Sequence, residues 1–574
     1  MSIFRFVPRA VVLALLPLAA LAQAPTAPMA KPAKPAKPVA ADADPIARIK
    51  DEGMNRSQIM ATFAHLTDNV GPRLTGTPAL HRANEWTRDE LTRMGLQNAK
   101  LEEWGEFGRG WSLQSFTGEV LTPQVQPLLA YPKAWAPGCN LQNAEVVWVN
   151  ATTVADLEKY RGKLKGKVVL SGPTRDVQAH FEPEATRRTE KELLELADAP
   201  DPNELRTGYT GPSRARQTAV KLRYFTAAAR AQFYVSEGVA LILDPSRAGD
   251  GGNIFVQQAS GAAPVDTTSM ETLYSAGKKV WDKEPPPVLP QAAVSIEQYN
   301  RLCRMLTANE PVRVNVRTAV QFHDEHPTQV NTIAEIVGTD KKDEVVMLGG
   351  HLDSWQGGTG ATDNAAGVAV AMEAVRILKT LGLQPRRTIR VALWTGEEQG
   401  IYGSEGYVKA HFGEKAPALA NAPRGGVPRV ITKPEYEKLS AYFNLDNGAG
   451  KIRGVYMQGN EAVRPLFRRW LQPLKELGAT TLTLENTGST DHIPFDEIGL
   501  PGFQFIQDEL EYFSRTHHST QDVYERAPAE DLKQAATVMA VFVYQTAMLD
   551  GKLPRKPVTV VNASQKAGGK KAKK

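Results

Sequence analysis

Residues 345–353 read VVMLGGHLD: a short apolar run from Val345 to Leu348, then two glycines, then His351 and Asp353. The run reads as a buried strand, and the polar residues follow directly at its end. In open α/β sheets, sites form beyond the C-terminal ends of strands. The same pattern recurs downstream. Thr388 to Trp394 runs into Thr395-Gly396-Glu397-Glu398, Ala441 to Leu445 runs into Asp446, and Gly502 to Ile506 leads through a loop to His517-His518. A further strand, Thr332 to Val337, precedes the turn Gly338-Thr339-Asp340. The spacing predicts helices from Asn364 to Leu381, with Val368, Met372, Val375 and Leu378 on one face, over about 461–477 and over about 530–548. Strands alternating with helices argue for an α/β fold: a mixed, largely parallel sheet flanked by helices.

The rest of the chain divides by texture. Arg5 and Arg9, the apolar run Val11 to Leu21 and Ala20-Leu21-Ala22 read as a signal peptide over residues 1–22, which implies an exported protein, periplasmic or secreted. Residues 23–44 are an Ala/Pro/Lys linker expected to be disordered. Residues 45–114 read as the first part of the main domain, helical but interrupted by the turn-rich stretch Gly71-Pro72-Arg73-Leu74-Thr75-Gly76-Thr77-Pro78. From 115 to 320, short apolar runs alternate with turns and with a helical stretch near 215–237, which predicts an inserted domain of mixed strand and helix. The main domain resumes over 321–555, and a Lys-rich tail closes the chain over 556–574.

The formal charge of +5 belongs to the ends. Without the Arg and Lys residues of signal, linker and tail the body is slightly acidic, which excludes a nucleic-acid binder of the basic-patch kind. After signal cleavage no segment reads as a stable membrane span. The two cysteines, Cys139 and Cys303, are too few and too far apart for a thiolate zinc cluster. No HExxH or GxSxG motif occurs. His323 and His326, in the charged stretch FHDEHP, read as surface residues.

Each strand-end residue alone has an ordinary structural role. A lone His is most often a satisfied structural one, Asp363 would serve as a helix cap, Glu397 and Glu398 as a solvated pair, and Asp446 as a turn residue. Together, His351, Asp363, Glu397, Glu398, Asp446 and His518 would crowd one sheet edge with carboxylates that need cations beside them. Nitrogen and carboxylate donors without thiolates suit zinc, with manganese or cobalt as substitutes.

The ordered motifs HLDSW (351–355), GATDNAAG (360–367), WTGEEQGIYGS (394–404), NLDN (444–447), STDHIPF (489–495) and HHSTQD (517–522) resemble those of the co-catalytic dizinc aminopeptidases. The 115–320 region resembles the protease-associated domain inserted in many of them, and carboxypeptidase Q-type dipeptidases look similar. The resemblance implies a zinc exopeptidase fold and two zinc ions per chain. By the same resemblance His351 and Asp446 hold one ion, Glu398 and His518 hold the other, and Asp363 bridges them. Glu397 is the implied general base. Asp353 is implied to orient His351, and Asp491 to shape the pocket. Many relatives carry Tyr where this chain has His517, which suggests that His517 polarises the substrate carbonyl.

The substrate implied is a peptide or dipeptide, and an aminopeptidase is the expected activity. A dipeptidase, a carboxypeptidase or a glutaminyl-cyclase-like acyltransferase would use the same ligands. A receptor-like ectodomain is the non-enzymatic alternative, against which the intact ligand set speaks. Arg73 is weighed as a reader of a substrate carboxylate against a structural role in its turn.

Overall fold

The apolar runs that end in polar residues lie side by side. The computed structural model describes residues 40, 43–202, 214–264, 266, 277–417 and 427–561. The expected signal peptide, nearly all of the linker and the tail from 562 onward lie outside the described residues. Among the described residues, one eight-stranded sheet has the order Gln97–Glu106, Thr328–Ile336, Arg387–Trp394, Lys341–His351, Leu439–Asn444, Gly502–Gln507, Ile452–Tyr456, Thr481–Thr483. Its four central strands, from Arg387–Trp394 to Gly502–Gln507, are parallel. The pairings of Gln97–Glu106 with Thr328–Ile336, of Thr328–Ile336 with Arg387–Trp394, and of Ile452–Tyr456 with Gly502–Gln507 are antiparallel. The sheet is therefore mixed, with a parallel centre, and helices flank it.

Side chains alternate across the central strands with a period of two. Val346 and Leu348 face the cluster under helices Ala366–Thr380 and Ala529–Met548, whereas Val345 and Met347 face Tyr407, Phe412, Tyr442 and Phe495 on the other side. Register aligns the strand ends: His351 stands opposite Trp394, and Gly349 stands opposite both Ala392 and Asn444. Gly349 has no room for a side chain, because a Cβ there would meet the Ala392 carbonyl at 1.9 Å.

Helix Ala366–Thr380 is buried from Ala366 to Leu378, not on one face alone, since it lies between the sheet and the helix Ala529–Met548. Its two charged interior residues pair with each other: Arg376 donates from Nε to Glu373 at 2.7 Å, and from Nη1 to Glu52 in the N-terminal helix Pro45–Asn55 at 3.0 Å. The helix expected over 461–477 is split into a 3-10 turn Glu461–Val463, an α-helix Arg464–Leu471 and a 3-10 stretch Gln472–Leu477. Pro473 has no N–H to continue the α-helical ladder, which accounts for the change of winding.

A second eight-stranded sheet is built from residues between Gly110 and His323, in the order Gln126–Pro127, Gly110–Val120, Arg313–His323, Cys139–Val149, Val168–Ser171, Leu241–Pro245, Gln291–Val294, Ala130–Pro132. Helices Arg214–Glu237 and Ile296–Thr307 accompany it. His323 is in this sheet and buried, not on the surface as expected, with a ring nitrogen 2.9 Å from Ser112 Oγ. Cys139 and Cys303 are both free thiols. No helix among the described residues is long and apolar enough to cross a membrane.

Candidate metal centre

The strand ends deliver their polar residues to one buried spot. His351 Nε2 lies 3.2 Å from Asp363 Oδ1 and 3.4 Å from Asp446 Oδ1. On the other side of the same carboxylate, His518 Nε2 lies 3.1 Å from Asp363 Oδ2 and 3.0 Å from Glu398 Oε2. Donors that share a tetrahedral zinc at about 2.0–2.1 Å sit about 3.3 Å apart, so both triads have the spacing of ligand sets. Asp363 gives one oxygen to each. Glu397 Oε2 is farther off, 4.0 Å from His351 Nε2. His517 Nε2 is 3.9 Å from Asp363 Oδ2, and its ring lies against that of His518, with centroids 3.7 Å apart.

The arrangement fits cations. His351 Nε2, Asp363 Oδ2, Glu398 Oε1 and Asp446 Oδ1 are buried with no hydrogen-bond partner. Buried polar atoms are normally paired, and here several converge on one another. Protein groups alone balance the charge only by holding protons. Burial pushes Glu397 well above the usual carboxylate range, helped by Asp446 and Asp491. Burial and the charge of Asp363 raise Glu398 to about 7. His518 is raised to about 10, Glu398 and Asp363 overcoming the opposing effect of burial. Divalent ions would supply that positive charge with both imidazoles neutral and both carboxylates ionised.

The supporting contacts differ in part from the expectation. His351 Nδ1 donates to the backbone carbonyl of Asp353 at 3.0 Å, and the Asp353 carboxylate stands back at 3.7 Å. That carboxylate instead accepts the backbone N–H groups of Glu397 and Glu398, at 3.3 and 3.2 Å, and the Thr75 hydroxyl at 3.1 Å. Asp353 therefore fixes the Glu397-Glu398 turn as well as the histidine. Asp491 is fully buried, and Ser404 donates to its Oδ1. Burial, with Asp446 and Asp353 nearby, lifts it to about 7. Arg73 is fully buried and spends its donors on five backbone carbonyls, those of Leu352, Leu66, Gly71, Thr359 and Gly360. Its role is structural.

Sequence reasoning assigned no role to three groups. Asp522 accepts the Thr362 N–H at 2.6 Å, the Thr362 hydroxyl at 2.8 Å and the Asp363 N–H at 3.3 Å, which holds in place the carboxylate that faces both histidines. Its position in HHSTQD was the only signal. Tyr512 is buried against His517, with ring centroids 4.8 Å apart. The third group is the loops that follow the strands Val168–Ser171 and Leu241–Pro245 of the second sheet, which hold the loop carrying His517 and His518. Thr186 and Leu510 exchange backbone hydrogen bonds at 3.0 and 2.8 Å, and Arg187 donates to Asp508 at 2.9 Å and Asp531 at 2.7 Å. Farther along, Asn253 donates to the Arg515 carbonyl at 2.7 Å, and the Val256 N–H to the His518 carbonyl at 2.9 Å. His518 itself takes a left-handed backbone conformation, φ 61°, a strained choice that the surrounding contacts sustain.

Residues 331–543 match peptidase family M28. That stretch is similar to a family M28 peptidase domain. All the residues described above as converging on the centre fall within that match. The chain is 25% identical over 513 residues to carboxypeptidase Q of Bos taurus, spanning 89% of this chain and 90% of that protein. A peptidase M28 precursor from Shewanella amazonensis has the same fold, with a TM-score of 0.61 and 24% identity over 89% of this chain and 98% of that one. So does a zinc aminopeptidase from Bacillus subtilis, with a TM-score of 0.52 and 18% identity over 86% of this chain and 95% of that one.

Proposed function

We propose that this protein is an exported, dizinc exopeptidase that cleaves short peptides. The observation that carries the reading is the pair of donor triads sharing Asp363, each with the spacing of a metal ligand set. His351, Asp446 and one oxygen of Asp363 would hold one zinc, and Glu398, His518 and the other oxygen the second. When bound, the ions would polarise a scissile carbonyl and acidify a water beside them.

Glu397 then acts as base. Its carboxylate stands outside both triads, 4.0 Å from His351 Nε2, where it would take the proton of an attacking water and deliver it to the leaving amine. Asp353 holds the backbone on which Glu397 is mounted. Burial lowers His517 to about 4, so its ring is neutral near pH 7 and can donate an N–H to the carbonyl oxygen as charge develops there. The alignment with carboxypeptidase Q along most of the chain supports the dipeptidase or carboxypeptidase alternative over the aminopeptidase expected from the motifs.

The test is Glu397→Gln. The variant should retain two metal ions per chain by elemental analysis and lose about a hundredfold or more in peptide hydrolysis. In the unmodified protein, a chelator should abolish turnover and added zinc should restore it. Near-normal hydrolysis by the Gln variant would sink the mechanism.

A further inference from the structure

We infer that the cavity between the second-sheet region and the turn after Glu398 receives the side chain of the residue that leaves with the amine, and that it selects a large aromatic one. The inference rests on the exopeptidase reading and names its substrates: short peptides whose leaving residue is tryptophan, tyrosine or phenylalanine.

Room decides where a substrate side chain can lodge. The space that Trp355, Asp363, Glu398, His518 and Asp522 enclose measures about 10 Å³, enough for about one water. A neighbouring cavity measures about 650 Å³, within the range of about 300–1,000 Å³ usual for small-molecule pockets. Gln399 and Gly400 line it, directly after Glu397 and Glu398 in the chain. Tyr402 lines it from the same turn, while Tyr224, on the helix Arg214–Glu237, and Trp281 line it from the second-sheet region. Glu397, as base, hands a proton to the leaving amine, so a cavity that opens two residues beyond it lies on the leaving side.

The walls favour an aromatic ring. Trp281 is built into a rigid cluster: its ring is stacked on Phe107, with centroids 5.7 Å apart, and lies 5.1 Å from that of Trp135. Its carbonyl accepts the Arg109 N–H at 2.7 Å. Gly108 permits that approach, since a Cβ there would meet the Trp281 carbonyl oxygen at 2.1 Å. Tyr402 is braced by Trp104, with ring centroids 5.9 Å apart. Tyr224 is 37% exposed, so a ligand ring can cover aromatic surface that the fold leaves open. The charges balance. Lys278 pairs with Glu284 at 3.3 Å, and the remaining lining charges, Lys279 and Glu405, are of opposite sign, which favours neither an acidic nor a basic side chain. Gln399 has both amide atoms, Nε2 and Oε1, buried without a partner. Unmade bonds of this kind are costly, and a peptide main chain, with a donor and an acceptor, complements both.

The test measures kcat/KM on alanyl-tryptophan, alanyl-alanine, alanyl-glutamate, alanyl-lysine and tryptophyl-alanine. A dipeptide has one peptide bond, so its leaving residue is the same whichever chain end the enzyme reads. The metal-loaded wild type is compared with Tyr224→Ala, with Ala263→Trp, which fills the cavity from a lining position, and with Leu222→Ala, on the same helix but outside the cavity. Metal content and thermal midpoint are measured for each. The wild type should favour alanyl-tryptophan over alanyl-alanine by about ten- to hundredfold, the scale set by burying a large apolar side chain. Tyr224→Ala should keep its metal and lower that ratio about three- to tenfold by removing one ring contact, and Ala263→Trp should lower it at least as far. Leu222→Ala should match the wild type. A ratio near one in the wild type, faster cleavage of alanyl-glutamate or alanyl-lysine, a preference carried by tryptophyl-alanine instead, or a ratio unchanged in both cavity variants overturns the assignment and leaves the exopeptidase standing. A wild type that binds no metal and cleaves none of the peptides overturns both.

Discussion

Replacing Arg187 with Ala isolates what the loop after the strand Val168–Ser171 does for the candidate metal centre. Arg187, in the loop after the strand Val168–Ser171, joins that loop to Asp508 and Asp531, which flank the loop bearing His518. The Asp508 side chain is wholly buried and that of Asp531 is 3% exposed, whereas Arg187 is 47% exposed. Removing one partner of a fully buried pair costs about 3–5 kcal/mol. Here the cost is smaller. Asp508 keeps the Arg453 side chain and the Arg188 N–H, both at 3.0 Å, and the half-exposed arginine regains water on the folded surface of the wild type already. About 1–2 kcal/mol remains, charged to local opening of residues 508–518. If that opening must be reversed for His518 to bind, the ion it holds is weakened about five- to thirtyfold. An ion held by His351 and Asp446 should be untouched, because His351 ends one strand of the other sheet and Asp446 follows another. Competition with a chromophoric chelator resolves the two binding steps. Weakening of one step alone is the expected result; equal weakening of both, or of neither, would refute the coupling.

Three further outcomes follow from the geometry. His517→Ala should keep two ions per chain and lose about a hundredfold in turnover, the usual cost of one oxyanion donor; loss of an ion would instead make His517 a ligand. Removing metal should lower the thermal midpoint, since free zinc at a thousandfold above its Kd stabilises by about 4 kcal/mol per site, and calorimetric scans with and without chelator read the difference. Glu102 should contribute to acid stability. Burial opposes its ionisation, but hydrogen bonds from His411 and Lys100 prevail and hold it at about 2. Its pKa is lower folded than unfolded, so the stabilisation is present above about pH 4.5 and is lost as the pH falls toward 2. Acid unfolding of Glu102→Gln should therefore converge with that of the wild type near pH 2, and a gap that persists there would exclude this origin.

The central strands were legible because a buried parallel strand leaves an uninterrupted apolar run, and because function sits at its end. His351, Glu397, Glu398 and Asp446 each follow such a run directly. Asp363 was harder, since an aspartate before a helix looks like a cap until its two oxygens are seen facing two different histidines. The contacts made by Arg187 and Asn253 left no trace in the sequence. Each joins residues more than 250 positions apart, and no local periodicity records such a meeting. The Asp353 carboxylate was read as the partner of the nearest histidine, whereas in the fold it lies under a turn more than forty residues onward.

The way Arg73 is satisfied orders the assembly of the chain. Two of its carbonyl partners, Leu66 and Gly71, are close by in sequence, but Leu352, Thr359 and Gly360 come after the whole of the second sheet. A nascent chain that has emerged only as far as residue 320 has a full positive charge at Arg73 and no oxygens to enclose it, so that segment stays in water. The guanidinium can enter the interior only when the loop after His351 closes over it. The seating of the Arg73 turn and the closure of the loop after His351 are thus one event, since neither leaves the guanidinium satisfied without the other.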